Sequence, residues 1–290
     1  MTTKASSPGF YSEQISAARR FHLDLDPPRN SPLTVVSGGR ENCAPDYEIH
    51  RPSFPFWGLE FVAQGRGSVG FGPECFDILP GSVFCYGPRT AHDIHTARLN
   101  PLVKYFVDFD GTQAATLLTG HGLHPGAVIQ TSAPGEIMAI FDDLIRNGLN
   151  YTPFSGRIAA VILEHLLLKI QETSIPNGSA ASPAFATYRR CRQYLQDHWP
   201  ELNSLGEIAA ACHLDPAYLC RLFQRFDRQS PYQFLLRLKI NHAAERLRTG
   251  EFPVAHIAEE LHFADQFHFS RVFKKLMGIS PSQFIRISSR

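Results

Sequence analysis

The chain has 290 residues, 43% of them hydrophobic and 19% charged, a globular composition long enough for two domains that each bury a core. No apolar run approaches the roughly 18 residues a membrane helix needs, and residues 1–20 are polar and rich in Ser and Ala, so neither a membrane span nor a secretory signal is expected. A cytoplasmic location is the expectation that follows.

The net charge of +1 conceals an asymmetry. Residues 1–184 carry 13 Lys and Arg against 17 Asp and Glu, net −4, whereas residues 185–290 carry 15 against 10, net +5. A basic module joined to an acidic one fits a nucleic-acid binder with a second, non-binding module. Six cysteines (Cys43, Cys75, Cys85, Cys191, Cys212, Cys220) occur without a C-x-x-C pair, which argues against a zinc ribbon, a redox motif or a disulfide framework and predicts buried, reduced thiols.

Residues 33–110 are dense in Gly and Pro and hold short apolar or alternating runs at 57–63, 76–79, 83–86 and 103–109, the texture of an all-β module. After Pro134 the period changes. Ile137, Ile140, Phe141, Leu144 and Ile145 recur at three- and four-residue steps, as do Ile158, Val161, Ile162, His165, Leu166 and Lys169. These predict two amphipathic helices, over about 134–174. The second is apolar on more than one face, which suits either contact with both the strands and a partner subunit or core packing alone. The stretch 175–183, Ile-Pro-Asn-Gly-Ser-Ala-Ala-Ser-Pro, reads as a linker. The expected organisation is therefore a first domain over 1–175, a linker over 176–184 and a second domain over 185–290.

The second domain repeats itself. Ile208-Ala209 matches Ile257-Ala258 and His213 matches His262 at an offset of 49. Beyond one extra residue, Arg221 matches Arg271, Phe223 matches Phe273, and Ser230-Pro231-x-Gln233-Phe234 matches Ser280-Pro281-x-Gln283-Phe284 at an offset of 50. Ser204-x-x-Glu207 is a capping box, Asp215-Pro216 supplies a cap with proline at the first helical position, Pro253 suits a first turn, and Asp265 caps a helix over 266–277. Ser230 and Ser280 each cap a helix that begins with proline, Gly250 ends the long joining helix, and Gly278 ends the last basic one.

These features predict two helix-turn-helix units, whose second helices fit the major groove. In the first, Ala217, Cys220 and Arg221 face outward to read bases, while Gln224, Arg225 and Arg228 suit phosphates. In the second, Gln266, Phe267, His268 and Arg271 face bases and Lys274 and Lys275 suit phosphates. Phe267 can meet a thymine methyl group or be partly buried; the pattern leaves both open.

Residues 205–284 resemble the DNA-binding domain of the AraC family of bacterial transcription regulators. The run Phe269-Ser-Arg271-Val-Phe273-Lys-Lys275-x-x-Gly278-x-Ser280-Pro281-Ser-x-Phe284 is similar to that family's signature. The resemblance implies seven helices, two recognition helices in successive major grooves, operator DNA and RNA polymerase as partners, and activation as the usual output. His262 departs from it, since glycine is common there.

The resemblance also implies an effector-binding cupin barrel at the N-terminus. Glu60 and Gly67 keep part of the pattern G-x5-H-x-H-x3,4-E-x6-G, but Phe54 and Phe56 stand where its histidines belong. Gly81 to His92 matches the second pattern, G-x5-P-x-G-x2-H, in spacing, with Gly87 and Arg89 replacing its proline and glycine. Two of four metal ligands are missing, so neither metal, cofactor nor catalysis is expected. His92 and His95 form a His-x-x-His pair with too few ligands alone. The pattern predicts a cupin-like α+β two-domain chain in which Glu60 and His92, among Phe54, Phe56, Trp57 and Tyr86, line a pocket for a small polar effector such as a sugar. Arg89 and His95 are expected at its rim, with the segment before Leu33 as a cover. A homodimer that reads repeated sites is the expected assembly. A cupin enzyme with an appended DNA-binding domain, or a regulator without an effector, are the alternatives.

Overall fold

A computed structural model describes residues 12–176, 178, 182–249 and 252–288. The chain divides into two compact units, residues up to 180 and from 181 onward. The first is a β-rich domain with helices, the second a helical domain, an α+β two-domain architecture.

In the first unit β1 (Ile15–His22), β2 (Thr34–Cys43), β4 (Trp57–Gln64), β7 (Ser82–Tyr86), β9 (Val103–Asp110), β10 (Val128–Thr131) and β11 (Ser174–Pro176) form one sheet in the order β1-β2-β9-β4-β7-β10-β11. A second sheet has the order β3-β8-β5-β6, from β3 (Glu48–Arg51), β8 (His92–Thr96), β5 (Gly67–Phe71) and β6 (Glu74–Ile78). Strand alternation sends residues two ways. Val36, Val62, Phe84 and Tyr86 meet Val69, Ile78 and Ile94 of the second sheet in one apolar cluster, and Leu59, Phe61, Val83, Cys85 and Val107 meet helices in another.

Those helices are α1 (Ala114–Gly120), α2 (Pro134–Asn150) and α3 (Ser155–Thr173). On α2 the buried face is the expected one. On α3 it differs: Ala159, Ile162, Leu163, Leu166, Leu167 and Ile170 are buried, while Ile158, Val161 and His165 are exposed. The helix is apolar on two faces, and the leucine-rich one packs on the sheet. The segment before Leu33 is not a free arm. Its residues 15–22 pair antiparallel with β2, and Phe21 lies against Gly148 of α2, where an added Cβ would stand 2.2 Å from the ring. Residues 1–11 of that segment lie outside the described residues.

The second unit holds α4 (Pro183–His198), a short 3-10 turn, α5 (Leu205–Ala211), α6 (Pro216–Phe226), α7 (Pro231–Thr249), α8 (Val254–Glu260), α9 (Gln266–Met277) and α10 (Pro281–Ser288). Ser204 Oγ accepts the Glu207 N–H at 3.2 Å, but the Glu207 carboxylate takes the N–H of Asn203 at 2.7 Å. Ser230 with Gln233 and Ser280 with Gln283 form the same reciprocal cap in both repeats. Pro253 stands at the cap of α8, one position before its first turn, and the expected stop at Gly250 lies outside the described residues. Cys43, Cys85, Cys191 and Cys212 are buried; contrary to expectation Cys75 is exposed and Cys220 half-buried. No helix among the described residues is long and apolar enough to cross a membrane.

Candidate functional sites: an outward helical face and a barrel cavity

Both outward helices of the repeat start on an aspartate. Asp215 Oδ1 accepts the N–H of Tyr218 at 2.9 Å and Asp265 Oδ1 that of His268 at 2.6 Å, satisfying donors that a helix start leaves orphaned. The turns before them are the same. The N–H groups of His213 and Leu214 bond Ala210 and Ala209, and those of His262 and Phe263 bond Glu259 and Ala258. Both histidines hold left-handed backbone, φ 56° and 57°, so His262 keeps the turn that glycine would make, at a conformational cost.

On α6 Leu219, Leu222, Phe223 and Phe226 are buried, leaving Ala217, Arg221, Gln224 and Arg225 exposed and Cys220 half-buried. Arg228, beyond the helix, is exposed too. The Arg225 guanidinium lies 5.0 Å from the Phe226 ring and that of Arg221 5.7 Å from Tyr218. On α9 Phe269 and Phe273 are fully buried, whereas Val272 and Leu276 are only partly covered. Gln266, Arg271, Lys274 and Lys275 are exposed, and His268 is half-buried against Phe263. Phe267 is 80% exposed, which removes the partly buried alternative. Helix α6 thus shows solvent Ala217, Gln224 and two arginines, and α9 Gln266, Phe267, an arginine and two lysines.

The barrel cavity is built by register. Glu41 on β2 stands opposite Lys104 on β9, and Ser37 opposite Asp108. On the other side of β9, Gly58 of β4 is opposite Asp108 and Glu60 opposite Phe106. Gly58 also faces Tyr86 of β7, and an added Cβ there would stand 2.2 Å from the Tyr86 ring. That missing side chain lets the tyrosine cross β4, so that its hydroxyl donates to Glu60 Oε1 at 2.9 Å. The Lys104 ammonium donates to Glu60 at 2.8 Å and pairs with Glu41 at 3.0 Å, and Arg20 pairs with Glu41 at 2.7 Å.

Burial works against charge on Lys104 and Glu41, but the opposite charges around each, Glu41 and Glu60 for the lysine and Lys104 and Arg20 for the glutamate, together outweigh it, holding the lysine pKa above and the Glu41 pKa below the usual values. Asp108 lacks such a partner, and burial pushes its pKa up to about 7 against the smaller effect of the Ser37 hydroxyl. Burial lowers the His92 pKa. A neutral His92 donates from Nδ1 to the Thr90 carbonyl at 3.0 Å and stacks on Tyr86 at 4.0 Å, leaving buried Nε2 as an acceptor with no hydrogen-bond partner.

Ser12, Glu41, Tyr47, Arg51, Phe54, Glu60, Tyr86, Lys104, Phe106 and Asp108 line a narrow cavity of about 20 Å³. Of the eight expected pocket residues, Glu60, Phe54 and Tyr86 are on this lining. Phe56 and His92 are buried in the same core but off the lining. Trp57 is a correction: it packs with Leu59 and Phe61 toward the helices, because positions one and three before Glu60 point to the opposite sheet face. Arg89 is exposed, and His95 points outward beside Glu48 and borders a separate surface cavity. His92 and His95, three apart on one strand, face opposite ways and form no pair. No group of three or more His, Cys, Asp or Glu among the described residues could hold a metal ion. Sequence reading missed Glu41, Arg51, Lys104 and Asp108. For Lys104 and Asp108 the signal was charge inside an otherwise apolar strand, four residues apart and hence on one face; Glu41 and Arg51, in the polar strands β2 and β3, carried none.

Residues 35–167 match the family model described as AraC-like ligand binding domain, and residues 208–287 match a helix-turn-helix domain. The arabinose operon regulatory protein of Salmonella typhimurium is 27% identical over 82% of this chain and 87% of its own length. The Msm operon regulatory protein of Streptococcus mutans is 21% identical over 88% of this chain and 93% of its own. The raffinose operon transcriptional regulatory protein of Pediococcus pentosaceus is 22% identical over 86% of this chain and 92% of its own.

Proposed function

Because this chain belongs to the AraC family of transcription regulators, with an N-terminal ligand-binding domain and a C-terminal DNA-binding helix-turn-helix region, we propose that it activates transcription in response to a neutral sugar bound in the barrel cavity. The observation that carries the ligand class is the cavity's chemistry. Glu41 and Glu60 face three cations, Lys104, Arg20 and Arg51, Asp108 with a pKa of about 7 offsets the third in part, Tyr47 and Tyr86 bring hydroxyl groups, and Phe54 and Phe106 add apolar faces. Paired donors and acceptors with little net charge suit a polyhydroxylated ring. Relatives that bear the names of arabinose and raffinose operons support the same class.

The cavity is narrow, so a sugar must displace side chains to enter. That rearrangement gives the ligand different affinities for two states, which a switch requires. The same narrowness favours one second reading, a regulator that needs no effector.

The reading faces proposed for DNA are Ala217, Cys220, Arg221, Gln266, Phe267, His268 and Arg271 for bases and Gln224, Arg225, Arg228, Lys274 and Lys275 for phosphates. Among the expected effector residues, Glu60, Phe54 and Tyr86 remain in the proposed site. We further propose a homodimer that engages RNA polymerase, acts in the cytoplasm and performs no catalysis. The dimer reading rests on α3 and its cap, where Phe154, Ile158, Val161, His165 and Leu168 form an exposed stripe at alternating steps of four and three. Arg157 and Glu164 flank it seven residues apart, so an antiparallel second copy sets each against its opposite charge.

The test is a thermal-shift series on the intact chain with neutral monosaccharides and disaccharides, sugar acids, aromatic acids and divalent metals. A saturable shift with a neutral sugar, lost in Glu60→Gln, is expected. A shift from sugar acids or metals alone overturns the ligand class, and no shift from any compound favours the effector-free regulator.

A further inference from the structure

Helix α7 serves both repeats with different halves. Its first half gives Phe234, whose ring lies 6.2 Å from Phe223 of α6. Its second half gives Ile240, Ala243, Ala244 and Leu247 to the cluster that holds Ile257, Ala258, Leu261, Phe269 and Phe273 of the second repeat. Lys239 stands at the changeover. It is 3% exposed, and its ammonium donates to Asn203 Oδ1 at 2.7 Å and to the Leu261 carbonyl at 2.8 Å. Asn203 is the residue whose N–H the Glu207 carboxylate takes at the start of α5, and Leu261 caps the end of α8. One side chain therefore ties the entrance of the first helix-turn-helix to the turn of the second.

A buried ammonium is a poor way to gain stability, because an apolar side chain of similar length avoids its desolvation. What it adds is direction. Apolar contacts tolerate sliding and small rotations, whereas two short hydrogen bonds from one nitrogen fix where the two segments stand. Helices α6 and α9 follow those segments after tight turns of identical form.

We infer that Lys239 is a positioning residue that sets the separation of the two reading helices, and with it the spacing between the two half-sites that one chain accepts on DNA. The inference rests on the reading of α6 and α9 as DNA-contacting helices. One inserted base pair moves a half-site by about 3.4 Å along the axis and turns it by about 35°, so a rigid pair of readers discriminates sharply between spacings and a loosened pair does not.

The experiment uses the intact chain and a duplex that it selects from a random-sequence pool. Derivatives of this duplex carry one base pair added or removed between the half-sites, or a single half-site. Wild type is expected to lose at least tenfold in affinity on either spacing change. Lys239→Met is expected to bind the selected duplex about three- to tenfold more weakly, to lose less than threefold further on a spacing change, and to bind the single half-site as wild type does. Lys239→Arg restores discrimination. Because Lys239→Met strands two acceptors and can fail to fold, Asn203→Ala removes one arm of the tie alone and is expected to loosen spacing in the same direction. Unchanged discrimination in a folded Lys239→Met, or in Asn203→Ala if the former does not fold, overturns the inference. Failure of wild type to select any duplex overturns the DNA reading beneath it.

Discussion

Ser37 on β2 stands directly opposite Asp108 on β9, and its hydroxyl donates to Asp108 Oδ2 at 2.7 Å inside the barrel. That single neutral donor does not offset burial, so the Asp108 pKa is pushed up to about 7. A carboxyl group whose folded pKa lies above its unfolded value of 3.8 holds its proton in the native state over a window where the unfolded chain has released it. Its stabilising contribution is full below pH 4, declines as pH rises, and is gone above pH 7, at up to about 1.4 kcal/mol per pH unit. In a Trp199→Phe background, where Trp57 reports on the barrel, urea midpoints should fall between pH 5 and pH 7. Asp108→Asn should flatten that decline; parallel profiles for the two proteins would contradict the raised pKa.

Gly58 marks the point where the Tyr86 ring crosses β4, with no room for a methyl group. Gly58→Ala is expected to cost about 1–3 kcal/mol by overpacking. Tyr86→Phe, which keeps the ring and removes only the bond to Glu60, should cost about 1.5–3 kcal/mol because its partner is a carboxylate. Urea unfolding in the same background measures both. A Gly58→Ala protein as stable as wild type would mean that the ring has another place to go.

His213 and His262 hold left-handed turns that glycine makes without strain. Each single change to glycine should stabilise the helical unit by about 0.5–1 kcal/mol, the relief of strain being partly offset by the greater freedom of glycine in the unfolded chain. Thermal unfolding followed by helical circular dichroism gives the sign directly.

Arg221→Ala and Arg271→Ala should each relax preference at one base position, costing about 1–3 kcal/mol on a selected duplex. Lys274→Ala and Lys275→Ala should weaken binding to all sequences alike and each lower the salt slope by about 1. Phe267→Ala should reduce affinity with stability unchanged to within about 0.5 kcal/mol, because the ring is exposed. Salt titrations of wild type and variants separate these roles.

Val161 is 66% exposed at the centre of the α3 stripe. Val161→Glu combined with Leu168→Glu should convert a dimer to a monomer in sedimentation equilibrium without loss of helical signal. A wild-type protein that sediments as a monomer at every concentration removes the dimer from the proposal.

The sequence by itself determined the helical unit almost in full. Its caps at Ser204, Asp215, Asp265 and Ser280 bond N–H groups three residues away, so the signals for each helix lie within one turn of it. The repeat then supplied the outward faces, since helical period alone separates Phe273 from Arg271. Only the tertiary structure decided the barrel site. Glu60 was legible from spacing to Gly67, but its partners Tyr86 and Lys104 lie 26 and 44 residues away and reach it through strand register, which no local pattern encodes. Trp57 shows the same limit from the other side, because proximity in sequence to Glu60 says nothing until the alternation of the strand is fixed. Lys239 likewise reads as one more charge on a long helix until folding brings Asn203 and Leu261, 36 and 22 residues distant, to its ammonium. Local bonds are written in adjacent residues; a buried polar cluster exists only once distant strands or helices have met and excluded water.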